Sequence, residues 1–407
     1  MTAMTPSRLT SELSDHDLVA AVFQVVATPK VEPASSFVLH APLEVAARSA
    51  LLRRVRPEGR DVARRRLVEV AEAYAAEATA LADPAPLTDG DVGSVTTRLV
   101  DAIGAGDLDA TDRAATRLTQ LVTGGELPAL LAAPLSRSLS AAGHAGILFQ
   151  TLAADGDVPA AALRGMAREL ARHPDWALPE IELGEADGPG SGTATDLLEE
   201  ALLAVPSLGV PGSAFIQPVM EQARRSGVAD RVLATLPPGG LEPGAARALL
   251  SRVAAWSMLQ DDPAHAPYGW SHCLTMPQGV LSPAVDDPHR RGAVAVAATY
   301  VAGFRAALGS VRLDPRFVPE PVATADIVEA VADSPLAAAA VAWHAPPTAR
   351  DDVATTLATV ASAHHDAHLV KYTLSCLRAA AYDPDHTSLY LASAAYLAGW
   401  WAEHDDR

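Results

Sequence analysis

The sequence predicts an all-α fold, formed as one large helical bundle-like domain over residues 1–407 or as two packed helical halves. Hydrophobic residues make up 49% of the 407 residues, which is ample for a large core, whereas aromatic residues make up only 5%. Alanine and leucine dominate the apolar set, and they favour closely packed helices over a β-sandwich, which would require more β-branched and aromatic side chains. Alternating strand patterns are nearly absent, and apolar residues recur instead at steps of three and four.

Helices are predicted wherever this spacing runs between Asp-Gly, Gly-Asp and Gly-Gly breaks, such as Asp89-Gly90, Gly106-Asp107 and Gly124-Gly125. Asp196 followed by Glu199 is typical of a capping box, and Glu242-Pro243 places proline at a helix start. His144 lies in a further small-residue helical segment. The other predicted helices are Leu43–Arg54, Arg60–Leu81, Val92–Ile103, Asp109–Val122, Leu127–Ala141, Asp196–Val205, Ala214–Ser226, Pro243–Leu259, His289–Leu308, Thr324–Val331, Ala349–Ala381 and Leu389–His404.

Two segments resemble motifs whose other requirements they do not meet. The glycine-rich stretch 182–194 has no apolar strand before it and no lysine after it, so it is interpreted as a flexible connection and not as a nucleotide-binding loop. The run Gly292–Val311 is long enough to span a bilayer, but it is built from alanine and contains Arg305, so we expect a buried core helix.

Charge and cysteine content exclude several classes of protein. The net charge of −18 leaves no basic stripe for nucleic acid or an anionic membrane. Cys273 and Cys376 are too few for a disulfide framework, and the N-terminus carries no signal-peptide pattern. We therefore expect a cytoplasmic protein with neither a nucleic-acid nor a membrane partner.

The most informative motif is the run from His364 to Lys371, HHDAHLVK, in the predicted helix Ala349–Ala381. Lys371 is one of two lysines in the chain, the other being Lys30. Unlike arginine, a buried lysine can lose its proton and become a base, a nucleophile or a ligand precursor. On a continuous helix His364, His368 and Lys371 would share one face, and His365 would lie beside it. The alternative interpretation is a solvated polar face.

Among the 13 histidines, four lie in apolar or small-residue surroundings: His40, His144, His272 and His368. Each alone is more typical of a hydrogen-bonded core histidine than of a ligand. Together with Lys371 they predict one shared metal site, because imidazoles on several helices suit iron, zinc, copper or nickel. Lysine ligates only after deprotonation or after reaction with carbon dioxide to a carbamate. Iron with open positions for dioxygen would oxidise a substrate, whereas zinc or manganese would support hydrolysis.

Two blocks, His144-Ala145-Gly146-Ile147-Leu148 and Asp366 to Lys371, resemble the questin oxidase-like family, enzymes that oxidatively open or modify anthraquinone-type rings. The resemblance implies a large all-α fold and a buried iron held by histidines and a carboxylated lysine. It implies Lys371 as the modified lysine and His368 and His144 as ligands. His40 and His272 match only by their order along the chain and their apolar context.

We therefore expect an iron-dependent oxygenase that uses dioxygen on an aromatic or quinone polyketide-like ring. His364 and Asp366 are candidate catalytic residues, Asp366 by orienting a ligand histidine, and no nucleotide-cofactor fingerprint is present. Tyr268, Trp270 and Phe149 are candidate substrate-pocket residues, with core packing as their alternative. Two other functions stay open: an HD-type metal-dependent hydrolase based on His365-Asp366, and a metal-free helical binding scaffold.

Overall fold

The computed structural model describes residues 13–31, 37–85, 87–123, 126–154, 160–178, 192–205, 207–208, 216–236, 241–281 and 287–404. Every regular element within these ranges is helical, and the β pairing there is limited to two isolated bridges. The predicted all-α class is confirmed. By its contacts the chain divides into two compact units, so one domain over 1–407 stays a prediction. Unit 1 comprises Met1–Arg53, Pro57–Pro179 and Ser282–Asp286; unit 2 comprises Arg54–Arg56, Glu180–Leu281 and Asp287–Arg407.

Unit 1 is built from eight α-helices within the described ranges. They are α1 (Asp15–Val26), α2 (Phe37–Leu52), α3 (Arg60–Glu77), α4 (Val92–Ala105), α5 (Leu108–Leu121), α6 (Leu127–Arg137), α7 (His144–Ala153) and α8 (Ala160–Arg172). α2 packs against α3 and α7, and α5 packs against α4 and α8. Leucine, valine and alanine side chains fill the core between them, as the composition predicts.

Helix α8 carries several buried charges into unit 1. Arg164 and Arg168 both contact the Asp112 carboxylate of α5, at 3.2 and 2.6 Å. The Glu169 carboxylate, whose side chain is 8% exposed, accepts a hydrogen bond from Arg172 at 2.7 Å. Burial, opposed by the charge of Arg168, raises the pKa of Glu169 to about 7. Ionising this carboxyl group therefore has a cost that an exposed glutamate does not have.

Unit 2 is built from the α-helices that follow in the chain. They are α9 (Gly192–Leu203), α10 (Ile216–Arg225), α11 (Val228–Leu233), α12 (Pro243–Gln260), α13 (Ser271–Val280), α14 (Asp287–Leu308), α15 (Ile327–Asp333), α16 (Pro335–His344), α17 (Arg350–Ala363), α18 (Ala367–Tyr382) and α19 (Thr387–His404). α13 packs against α12, α14 and α18, while α19 packs against α12, α16 and α18.

Unit 2 contains a buried ion pair and a close approach between two helix backbones. Arg305 of α14 and Asp261, both with fully buried side chains, form an ion pair, and the Arg305 guanidinium also donates to the Val311 carbonyl at 2.7 Å. A Cβ on Gly399 of α19 would lie 2.8 Å from the Cα of Pro335, at the start of α16. Only glycine therefore lets these two backbones approach each other so closely.

Most predicted helices are present, but their boundaries and number differ from the prediction. Glu242 caps α12 with Pro243 in its first turn, as predicted. The predicted cap at Asp196 is wrong, because α9 begins at Gly192. The predicted flexible connection 182–194, up to residue 191, and the Gly124-Gly125 break lie outside the described residues. Five α-helices of the described ranges are not among those predicted: α1, α8, α11, α13 and α16.

The apolar run at Gly292–Val311 forms most of α14, and its side chains from Ala293 to Leu308 are buried. This confirms the expected core helix. Among the helices of the described ranges, none combines the length and apolarity needed to cross a membrane.

Candidate metal centre

His272 is positioned by a π-helical turn, Ala266–Trp270, that precedes α13. Its Nδ1 lies 2.5 Å from the carbonyl oxygen of Tyr268. A carbonyl oxygen only accepts, so Nδ1 carries the proton and Nε2 presents its lone pair, as in a ligand histidine. The turn itself is tight, because a Cβ on Gly269 would clash with Leu308. Such turns often mark functional positions in helices.

His368 is oriented by the residue that begins its helix. Asp366 is the N-cap of α18, and its Oδ1 accepts the backbone N–H of His368 at 2.6 Å. The same oxygen lies 3.1 Å from Nδ1 of His368. The carboxylate therefore fixes the proton on Nδ1 and leaves Nε2 as the ligand atom.

The predicted continuous helix through the histidine run is wrong. α17 ends at Ala363 and α18 begins at Ala367, so His364, His365 and Asp366 lie in the connection between them. Nδ1 of His364 accepts the backbone N–H of Asp366 at 3.0 Å. Hence the predicted helical face shared by His364 and His368 does not exist, whereas His368 and Lys371 remain three residues apart on one helix.

His272, His368 and Lys371 lie together within unit 2, where His272 and Lys371 are buried and His368 is half-buried. The ring centroids of the two histidines are 5.2 Å apart with planes inclined at 62°, and Lys371 is 4% exposed. Burial first, and then the charge of Lys371, lower the pKa of His368 to about 4 and hold the pKa of His272 well below 6.5. Both imidazoles are therefore neutral at pH 7, which is the form that binds metals.

The carboxyl group of Asp366 stays ionised in this environment. Burial raises its pKa, but the hydrogen bond from His368 and the charges of His368 and Lys371 outweigh burial and lower it below 3.8. The negatively charged Asp366 carboxylate thus orients the neutral imidazole of His368.

Tyr268 connects this group to the protein surface. Its side chain is 45% exposed, and its ring meets that of His368 edge-on with centroids 4.8 Å apart. Trp401 lies beside it, with centroids 6.4 Å from Tyr268 and 5.1 Å from His364. Trp401 was not singled out from the sequence, because helical spacing in α19 does not show which neighbour a tryptophan meets. Tyr268 and Trp401 therefore form an aromatic wall beside His368.

Trp270 and Phe149, the other predicted pocket residues, are both buried. Trp270 is 0% exposed in unit 2, and its indole N–H donates to the Asp262 carbonyl at 3.3 Å. This contact matches the core-packing alternative. Phe149 is buried on α7 in unit 1.

Unit 1 holds a second histidine pair. His40 on α2 and His144, the first residue of α7, have ring centroids 5.0 Å apart with planes at 77°. His144 is buried and His40 is half-buried. Gly143 precedes α7 with φ of 72°, a backbone conformation that suits glycine and turns the chain into the helix. Glu44 and Arg48 form a buried ion pair on the same helix as His40.

Both histidine pairs fit the spacing that metal ligands require. Two imidazoles that bind one ion through nitrogens at ~2.1 Å have ring centres roughly 4.5 to 6.5 Å apart. The centroid distances of 5.2 and 5.0 Å in the two units lie in this range. That the two pairs share a single ion with Lys371 stays a prediction from the sequence.

No family model, curated protein or solved structure matches the chain. The resemblance to the questin oxidase-like family therefore stays a prediction that rests on the two short blocks around His144 and His368.

Proposed function

We propose that the chain is a non-haem iron-dependent oxygenase, which uses dioxygen to oxidise or cleave the ring of an aromatic, quinone-like substrate. The observation that carries the proposal is the group of His272, His368 and Lys371 in unit 2, with two neutral imidazoles. A histidine pair with a lysine-derived oxygen ligand leaves coordination positions open, which suits iron and dioxygen.

In this proposal the protein residues prepare the ligands before the metal arrives. The Tyr268 carbonyl and the Asp366 carboxylate hold the protons on Nδ1 of His272 and His368, so that both Nε2 atoms accept the ion. The Lys371 amine attacks carbon dioxide, forms an N–C bond and releases a proton, which gives a carbamate with one negative charge. Bound ferrous iron would supply the electrons and the open positions that dioxygen requires.

The aromatic wall, in which Tyr268 is exposed and Trp401 is buried, supports an aromatic substrate. The Tyr268 ring reaches from solvent to the edge of the His368 imidazole. A flat ring stacked there would lie beside the ligand histidine and would exclude water from it. His364 and Asp366 then act in the proposal as positioning residues, because their hydrogen bonds hold the start of α18.

The hydrolase alternative is less well supported by the geometry. It requires His365 and Asp366 to act as adjacent ligands. His365 is exposed, with its ring near those of His364 and Trp401, whereas the Asp366 carboxylate serves the backbone and ring of His368. These two side chains therefore have different surroundings and different partners.

Metal analysis tests the proposal. The full chain is reconstituted anaerobically with ferrous iron, desalted and assayed for bound iron, with zinc and manganese in parallel. We expect one iron per chain, and we expect His272→Ala and His368→Ala each to lower retained iron at least about tenfold. His173→Ala, at an exposed histidine of unit 1, is the matched control and should retain iron. Iron absent from the wild type would contradict the proposal, and zinc or manganese bound alone would favour hydrolysis.

Labelling with ¹³C-bicarbonate tests the role of Lys371. One carbamate signal is expected in the wild type and in Lys30→Arg, and none in Lys371→Arg, because an arginine keeps its charge and does not form a stable carbamate. His40→Ala and His144→Ala, measured for iron in the same way, test the predicted contribution of unit 1. A Lys371→Arg variant with full iron content would refute a ligand role for this lysine.

A further inference from the structure

Unit 2 contains a cavity of about 610 Å³, formed by the irregular connection 309–326 and helices α15, α16 and α17. Its apolar walls include Val322, Ile327, Val341 and Val353. The volume lies within the range of pockets for drug-sized ligands, which are mostly apolar with a few polar groups that orient the ligand. None of the residues proposed above to bind metal lines this cavity.

Arg56 lines the cavity, and part of its guanidinium group is available to bind a ligand. Arg56 is half-buried, and its Nη2 donates to Asp352 at 2.6 Å and to Thr356 at 2.8 Å. Its backbone N–H donates to Thr359 at 3.0 Å. Within the described part of the chain, Nη1 makes no hydrogen bond. The backbone and Nη2 contacts thus fix the guanidinium while one of its ends remains available.

The acidic groups at the same cavity are already engaged. Asp326 is the N-cap of α15 and accepts the backbone N–H groups of Val328 and Glu329. Asp352 accepts from Arg56. The available charged donor is therefore Nη1 of the guanidinium, and it favours a carboxylate over an ammonium group, since a hydrogen bond between two oppositely charged groups is stronger than one between neutral groups.

The connection that forms one wall is fixed in place but presents apolar side chains to solvent. Gln260 exchanges two hydrogen bonds with the backbone of Asp314, at 2.8 and 3.0 Å, and Nε2 of His344 donates to the Pro319 carbonyl at 2.8 Å. Val322 of this connection nevertheless remains 41% exposed, and Val328 of the adjoining α15 is 56% exposed. Long irregular connections and exposed apolar clusters are both typical of ligand sites.

We propose that this cavity binds a free medium-chain carboxylate, with the carboxylate on Nη1 of Arg56 and the alkyl chain along the valine and isoleucine walls. The fixed guanidinium supplies the charge, and the apolar walls supply most of the burial. This binding site is separate from the proposed oxygenase centre and does not depend on it.

The test is calorimetric titration of the full chain with octanoate, 1-octanol and octylammonium, which differ only in their head group. Octanoate should bind one per chain with saturation, and about tenfold more tightly than either comparator, as expected for a charged hydrogen bond in place of a neutral one. Arg56→Gln should weaken octanoate about tenfold and leave 1-octanol unchanged. Octylammonium binding as tightly as octanoate, or no saturable binding of octanoate, would overturn the proposal.

Substitution of two exposed residues, one at the cavity and one away from it, distinguishes binding in the cavity from nonspecific hydrophobic binding. Val328→Trp places a large ring at the cavity and should abolish octanoate binding, whereas Leu336→Trp, 60% exposed on α16 and not at the cavity, should leave it unchanged. Equal binding by the two variants would also overturn the proposal. A dimer that Val328→Trp abolishes and that octanoate does not affect would overturn the proposal as well. This result would assign the surface to a second copy of the chain.

Discussion

Asp366 performs two tasks that substitution can separate. Its Oδ1 caps α18 through the backbone N–H of His368 at 2.6 Å, and it faces Nδ1 of the same histidine at 3.1 Å. Asp366→Asn keeps a capping oxygen and removes the negative charge. Asp366→Ala removes both the cap and the partner of Nδ1.

Helix capping and histidine orientation predict effects of different size on the free energy of unfolding and on metal affinity. Asparagine caps helices nearly as well as aspartate, so Asp366→Asn should change the free energy of unfolding by less than ~0.5 kcal/mol, whereas Asp366→Ala should cost about 1 kcal/mol. Loss of an outer partner of a ligand histidine typically weakens metal binding by about 10- to 100-fold, or ~1.4 to 2.8 kcal/mol. We expect Asp366→Asn near the lower limit, because a neutral amide holds Nδ1–H less strongly than a carboxylate does.

Urea unfolding of the metal-free chain measures the first quantity, and anaerobic titration with ferrous iron measures the second. Asp107→Ala is the matched control, since Asp107 caps α5 by accepting the Ala110 N–H at 3.0 Å and lies in unit 1. It should lose about 1 kcal/mol of stability and keep its iron affinity. Unchanged iron affinity in Asp366→Asn and Asp366→Ala would refute the orienting role.

Two further predictions concern stability. Glu169 has a pKa of about 7 in the folded chain against 4.5 for the free side chain, so the folded state favours the protonated carboxyl group. The free energy of unfolding of the wild type is therefore highest below pH 4.5 and falls as the pH rises through 7. Glu169→Gln should therefore gain stability over the wild type between pH 5 and pH 8, by on the order of 3 kcal/mol, in urea unfolding. Gly399→Ala should cost about 1 to 3 kcal/mol through its clash with the start of α16. Gly104→Ala, where no atom lies within 4 Å of the new Cβ, should gain ~0.5 to 1 kcal/mol in the same assay.

The fold class and the longer helices were predictable because they depend on local spacing. Apolar residues at steps of three and four define α3, α5 and α14 without knowledge of their partners. Helices α8 and α16 were missed for opposite physical reasons. α8 carries charged side chains that are buried only because they pair with one another and with α5. α16 is a short alanine run with no polar face.

The histidine run shows why helix boundaries were harder to predict. Between Ala363 and Ala367 the spacing of the polar residues also fits a continuous helix, but aspartate is a strong N-cap. The chain adopts the cap, in which the Asp366 side chain accepts the otherwise free backbone N–H of His368 at the start of α18. The signal was present in the sequence as an aspartate before an apolar segment. The π-helical turn before His272 carried no comparable signal, because its tightness depends on Leu308, distant in sequence.

The rarity of lysine led to Lys371 in the sequence, but rarity alone does not mark a ligand. Lys30, the other lysine, is also buried, at 5% exposure, and its ammonium donates to the Ala78 carbonyl at 3.0 Å and lies 4.5 Å above the Tyr74 ring. Both of these partners stabilise a charged ammonium group. Lys371 instead lies in a group with two imidazoles and the Asp366 carboxylate, and its positive charge lowers the pKa values of all three. Conversion of Lys371 to a carbamate would reverse that charge, and this difference in surroundings is what makes Lys371, and not Lys30, the candidate ligand.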